Sequence, residues 1–110
     1  MSSEFRDYIV EDILSHIPNI SSRAMFGGYA IYKDGIVFAL IVYDELYFKV
    51  DDSNINYYKE IDSHPFVYKQ KEGKEVTMSY WLIPEDIFYD KYKIAELIEE
   101  SVSISLKKNK

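Results

Sequence analysis

Apolar residues recur at Phe5, Ile9, Ile13 and Ile17, joined by Tyr8, and this four-residue spacing predicts a helix from Ser3 to Ile17 with one buried face. Ser3 suits its N-cap, and Glu4 sits in its first turn. Pro18 closes the helix, because proline lacks an amide hydrogen and its ring clashes with the preceding turn, and Asn19 supports a turn. The pattern then changes period. From Ser22 to Val50 it predicts three antiparallel strands joined by tight turns. The first turn carries Asp34-Gly35, suited to a type I′ geometry that needs positive φ at both central residues; the second lies around Tyr43, Asp44 and Glu45. The apolar run Ile36 to Tyr43 reads as a buried strand, while Leu46, Phe48 and Val50 alternate with Tyr47 and Lys49 as a half-buried one.

Asp52 or Ser53 is placed to cap a second, short helix reaching Ile61, with Asp62, Ser63, His64 and Pro65 as the loop after it. Two further strands, Phe66 to Gln70 and Glu75 to Ile83, flank the polar hairpin loop Lys71-Glu72-Gly73-Lys74. Pro84 with Glu85 and Asp86 is a helix-start signal, since acids complement the positive end of the helix dipole. A last helix, about Lys91 to Leu106, carries the stripe Ile94, Leu97, Ile98, Val102 and Leu106 and turns Glu96, Glu99 and Glu100 to water. The order α-β-β-β-α-β-β-α, with short connections throughout, predicts a two-layer α+β sandwich. It has a single antiparallel five-stranded sheet with helices mainly on one face. Residues 1–106 form its one domain and 107–110 a basic C-terminal tail.

Alternation through two-residue loops assigns Tyr32, Val37, Ala39, Ile41, Phe48 and Val50 to one face of the first three strands. It assigns Tyr29, Ile31, Phe38, Leu40, Tyr47 and Lys49 to the other. The middle strand is apolar on both faces, and three helices in 110 residues cover one face well and the other only in part. The second face is therefore the candidate interaction surface, for a protein partner or a second copy, with Lys49 as its polar margin. The alternative is that aromatic side chains and a loop of the same chain cover it.

Composition narrows the chemistry. Cysteine is absent, which excludes a disulfide framework, a thiolate metal site and a thiol nucleophile. No basic n-region followed by an apolar h-region opens the chain and no apolar run reaches spanning length, so the expected compartment is the cytoplasm. A net charge of −6 opposes direct binding of DNA, because nonspecific affinity for polyanions comes from cationic faces. Aromatics make up 16% of the residues, 11 of them Tyr, which points to a ring-rich core.

The individual residues offer little catalysis. His16, one turn after Asp12, and His64, before Pro65, have no neighbours at ligand spacing. The adjacent acids Asp51-Asp52 and Asp44-Glu45 sit at strand ends, where carboxylates cap or turn, and Ser79 lacks a nucleophile elbow and a base. Tyr29, Tyr32, Tyr47, Tyr68 and Tyr80 could stack bases, but only Arg23, Lys33, Lys49 and Lys69 lie near in sequence. Gly27-Gly28 suits a bend or a close backbone approach rather than a phosphate cradle, since a strand and not a helix follows. No catalytic residue, metal or cofactor is expected. A small enzyme or metal-binding protein with a dispersed site, and a direct nucleic-acid binder, stand as the alternatives.

Met25-Phe26-Gly27-Gly28-Tyr29 leads into Ile31-Tyr32-Lys33-Asp34-Gly35, then Phe38-Ala39-Leu40 and Leu46-Tyr47-Phe48-Lys49-Val50-Asp51. Pro65-Phe66-Val67-Tyr68, Met78-Ser79-Tyr80-Trp81 and Leu82-Ile83-Pro84 follow. In order and spacing these segments resemble the N-terminal domain of the TfoX/Sxy competence regulators, from Arg23 to the last helix. The resemblance implies an α/β sandwich with one antiparallel sheet, grouped with secretion-chaperone-like folds. It also implies a regulatory role, since family members positively regulate genes for DNA uptake. Longer members carry a second, helical domain, so this chain is expected to stand alone. Ala30 stands where the family often has another glycine. The family supplies no catalytic residues to carry over.

Overall fold

A computed structural model describes residues 3–25 and 27–108. Phe26 and the last two residues of the basic tail, Asn109 and Lys110, lie outside the described residues. The first helix begins as α1 (Ser3–Asp7) and widens into a π-helical stretch, Tyr8–Ile13, closed by the Leu14 amide donating to the Ile9 carbonyl at 2.9 Å. The spacing of its apolar residues accounts for this. Steps of four drift around a helix with 3.6 residues per turn, and wider turns after an α turn keep Ile9 and Ile13 facing the sheet.

Six strands follow, not five: β1 (Ile20–Met25), β2 (Gly28–Lys33), β3 (Ile36–Val42), β4 (Glu45–Lys49), β5 (Pro65–Lys69) and β6 (Glu75–Leu82). They form one antiparallel sheet in the order β1-β2-β3-β4-β6-β5. The extra strand is β1, which is exposed along most of its length and lacks the apolar alternation that would announce it. It exists because Met25 pairs with Gly28, and Gly27 (φ +77°) turns the chain back on itself. The turn at Asp34-Gly35 forms with φ of 52° and 78°, and Tyr43-Asp44 makes a second tight turn with φ of 52° and 57°. Short helix α2 (Ile55–Glu60) follows a turn organised by Asp51, whose carboxylate accepts from the Ser53 amide (2.8 Å) and hydroxyl. Its N-cap is Asn54, not Asp52 or Ser53. After β6 come a 3₁₀ turn, Glu85–Tyr89, and the long helix α3 (Lys91–Lys108), in which Lys107 lies 3.6 Å from the Asp51 carboxylate.

The facial assignment of β2 and β3 needs correcting. Ile31 pairs with Ala39 but Tyr32 pairs with Val37, so Phe38 is an extra residue, a β-bulge. That one residue breaks strict alternation. Tyr29, Ile31 and Phe38 move to the helix side, and Tyr32 and Val37 to the opposite side, while Ala39, Ile41, Phe48 and Val50 stay where alternation placed them. The main core thus lies between the sheet and the helices: Ile31, Phe38, Ile41, Leu46 and Phe48 meet Ile9, Ile13, Tyr58, Phe88, Ile94, Leu97 and Ile98. Phe38 and Phe48 pack edge to face at 5.4 Å. Helix α3 also serves the polar backbone, because Ser105 donates to the Val37 carbonyl beside the bulge (2.6 Å) and Ser101 to the Lys49 carbonyl (2.8 Å).

Candidate functional site

On the side of the sheet away from the helices lies a second apolar cluster, built among the described residues from strand residues alone. Ala30, Leu40, Tyr47 and Tyr80 are its buried centre, and Tyr32, Val37, Val42, Phe66, Met78 and Leu82 its partly buried surround. Strand pairing assembles it. Tyr47 on β4 stands opposite Leu82 on β6, and Lys49 opposite Tyr80. The Lys49 ammonium lies 5.0 Å from the centre of the Tyr80 ring, a cation–π contact at the margin of the cluster. Aromatic packing continues outward: Tyr47 meets Phe66 at 5.3 Å, and Phe66 stacks on Tyr68 at 6.2 Å with an interplanar angle of 26°. Tyr68, 39% exposed, ends the row.

The phenols here are structural in their protonation. Burial, then a hydrogen bond donated to Glu45 (2.9 Å), pushes the Tyr47 hydroxyl well above the ordinary tyrosine range. Burial, then the neighbouring Tyr32, also raises the Tyr80 hydroxyl above its ordinary value. Both stay protonated through the neutral range.

Of the six residues expected to form an interaction face, Leu40, Tyr47 and Lys49 lie on this helix-free side. Tyr29, Ile31 and Phe38 do not. Ile31 and Phe38 are buried in the main core, and Tyr29 packs beneath the Arg6 guanidinium, 4.6 Å from its ring centre. Phe66, Met78, Tyr80 and Leu82 complete the face instead. Their period-two spacing on β5 and β6 was legible, but the pairing of β4 with β6 that brings them beside Tyr47 was not.

Among the other motif residues, Met25 is exposed at the end of edge strand β1 and Gly28 is buried against β3. A Cβ added at Gly28 would stand 2.2 Å from the Ile41 carbonyl oxygen, so this glycine is the close approach of two backbones. Met78-Ser79-Tyr80 spans the irregular part of β6, where Val67 faces Thr77 but Pro65 faces Trp81. Ser79 is exposed, and its carbonyl accepts from the Val50 amide at 2.9 Å.

The remaining candidate groups are dispersed. His16 Nε2 lies 3.3 Å from the Lys91 carbonyl oxygen, whereas His64 packs its ring against Tyr47 at 6.4 Å. Among the described residues, no three or more His, Asp or Glu side chains converge as metal ligands do. No helix there is long and apolar enough to cross a membrane.

An antiparallel sheet with helices on one face and an aromatic, strand-only cluster on the other defines an α+β sandwich. The chain belongs to the TfoX N-terminal domain family, whose pattern it matches over residues 12–105. It is also similar to Protein Sxy of Escherichia coli (strain K12), with 29% identity over 104 residues, 93% of this chain and 48% of that protein. The chain thus spans about half the length of this curated relative.

Proposed function

We propose that this domain is a regulatory protein-interaction module without catalytic chemistry, acting as TfoX-type regulators of DNA-uptake genes do. It docks a protein partner or a second copy of itself through the outer part of the helix-free face, at Phe66, Tyr68 and Met78, with Lys49 on its margin. One observation carries this reading: among the described residues the second apolar cluster contains no helix residue, and its aromatic row ends in exposed Tyr68. Leu40, Tyr47 and Tyr80 are already sealed by their neighbours, so the free apolar area lies around them rather than at them.

Sedimentation velocity from low to high micromolar concentration, together with affinity capture from the source cell, tests the reading. Tyr68→Asp should weaken association or capture by more than it lowers the thermal midpoint, because it loses only the stack on Phe66 in the free domain, where the new charge stays hydrated. Tyr47→Asp should instead unfold the domain, since it buries a carboxylate at a position 5% exposed. A protein that stays monomeric, and whose Tyr68→Asp variant retains every captured partner, refutes the proposal.

A further inference from the structure

A cavity of about 320 Å³ opens where α1, the Tyr43-Asp44 turn and the 3₁₀ turn after β6 meet, beside Leu82 at the edge of the helix-free face. Its apolar wall comes from Phe5, Tyr8 and Phe88 with Leu46, Leu82, Ile83 and Pro84. The three rings form a near-equilateral group: each pair of centroids is 6.4 Å apart, and the planes are tilted by 48° to 59°. Its ionisable lining, apart from the Tyr8 phenol, is Asp44, Glu45 and Glu85, and among the described residues no lysine, arginine or histidine lines it. Glu45 accepts the Tyr47 hydroxyl at 2.9 Å, and among the described residues neither Asp44 nor Glu85 takes part in an ion pair. Arg6, close by in sequence, is held by Asp7 at 2.7 Å and by the Tyr29 ring. The Tyr8 and Tyr89 hydroxyls, 2.6 Å apart, tie the start of the π-helical stretch to the 3₁₀ turn.

We propose that this cavity binds an organic cation, an ammonium or guanidinium head on a hydrocarbon stem. Aromatic rings attract a cation through the negative potential of their faces, and the aliphatic wall takes the stem. The three carboxylates supply a negative field, strengthened by the chain's net charge of −6. They do not converge as a coordination shell. A hard metal ion, which requires close oxygen ligands, therefore fits this site poorly, and an anion is repelled. The cation has two sources, a free alkylammonium or a lysine or arginine side chain of a protein. The inference uses none of Phe66, Tyr68 and Met78, on which the docking proposal rests.

The test is titration of the full chain with n-butylammonium, the neutral alcohol n-pentanol, one methylene longer, and a capped Gly-Lys-Gly peptide, followed through backbone amide shifts. Both cations should move the amides of Leu46, Glu85 and Phe88, with at least fivefold tighter binding than pentanol. Tighter binding of the peptide assigns the site to a protein side chain, and tighter binding of butylammonium to a free amine. The variant carrying Asp44→Asn and Glu85→Gln, both at exposed positions, should keep its melting temperature and lose at least fivefold in cation affinity. Pentanol binding as tightly as butylammonium, shifts confined to other residues, or unchanged affinity in the double variant would each overturn the proposal.

Discussion

Replacing Gly28 by alanine adds one methyl group at the point where β2 comes closest to β3. The new Cβ would lie 2.2 Å from the Ile41 carbonyl oxygen and 3.3 Å from its carbon. Both atoms are backbone inside a sheet, so no rotamer change relieves the clash. To restore ordinary contact the strands must part by about 1 Å, which stretches a hydrogen bond of normal length beyond any bonding geometry. One or two ladder bonds at about 0.5–1.5 kcal/mol each, added to an overpacking cost of about 1–3 kcal/mol, give a loss of about 1.5–6 kcal/mol. A domain of this size has about 5–15 kcal/mol in total. Urea unfolding followed by Trp81 fluorescence should show a lowered midpoint with an unchanged slope. Gly27→Ala is the control: its Cβ meets nothing within 4 Å, and its φ of +77° costs about 1–2 kcal/mol as a left-handed alanine. A loss below about 1 kcal/mol for Gly28→Ala, or one smaller than that of Gly27→Ala, would refute the close-approach reasoning.

Phe48→Ala should cost about 3–5 kcal/mol in the same urea assay, because it empties a fully buried site against Phe38; a cost under about 1 kcal/mol would show that β4 faces the other way. Alkaline stability carries a further expectation. Burial holds the Tyr47, Tyr58 and Tyr80 phenols above their ordinary value of 10.0, and the hydrogen bond to Tyr89 pushes Tyr8 up to about 12. The unfolded chain therefore loses these protons first, so stability is full below pH 10 and falls as pH rises from about 10 towards 12; a flat profile in urea melts across that range would contradict it. Tyr58→Phe should reduce that slope without loss at neutral pH. Its hydroxyl has no hydrogen-bond partner among the described residues, since Ser101 beside it donates to the Lys49 carbonyl and meets no bonding geometry with the phenol.

Local chemistry alone determined most of the secondary structure. Pro18, Asp34-Gly35, the alternation of Leu46 to Val50 and the stripe of the last helix each act within a few residues, so their outcome is written into adjacent positions. The order of the Met25 to Tyr29 and Met78 to Trp81 segments likewise carried the family. Three features belonged to the tertiary structure. Strand β1 is held by pairing with β2 rather than by an apolar pattern of its own, so the strand expected from Ser22 onward divides at Gly27 into β1 and β2 without a local apolar signal. The bulge at Phe38 reflects competition between a two-residue turn, which sets register, and a core that accepts both Phe38 and Ala39. One extra residue was enough to exchange Tyr29, Ile31 and Phe38 for Tyr32 and Val37 on the helix-free face. The pairing of β4 with β6, across about 30 intervening residues, joined Tyr47 to Tyr80, Phe66 and Leu82. Long-range pairing answers to the packing of the whole sheet, and short-range sequence patterns carry no record of it.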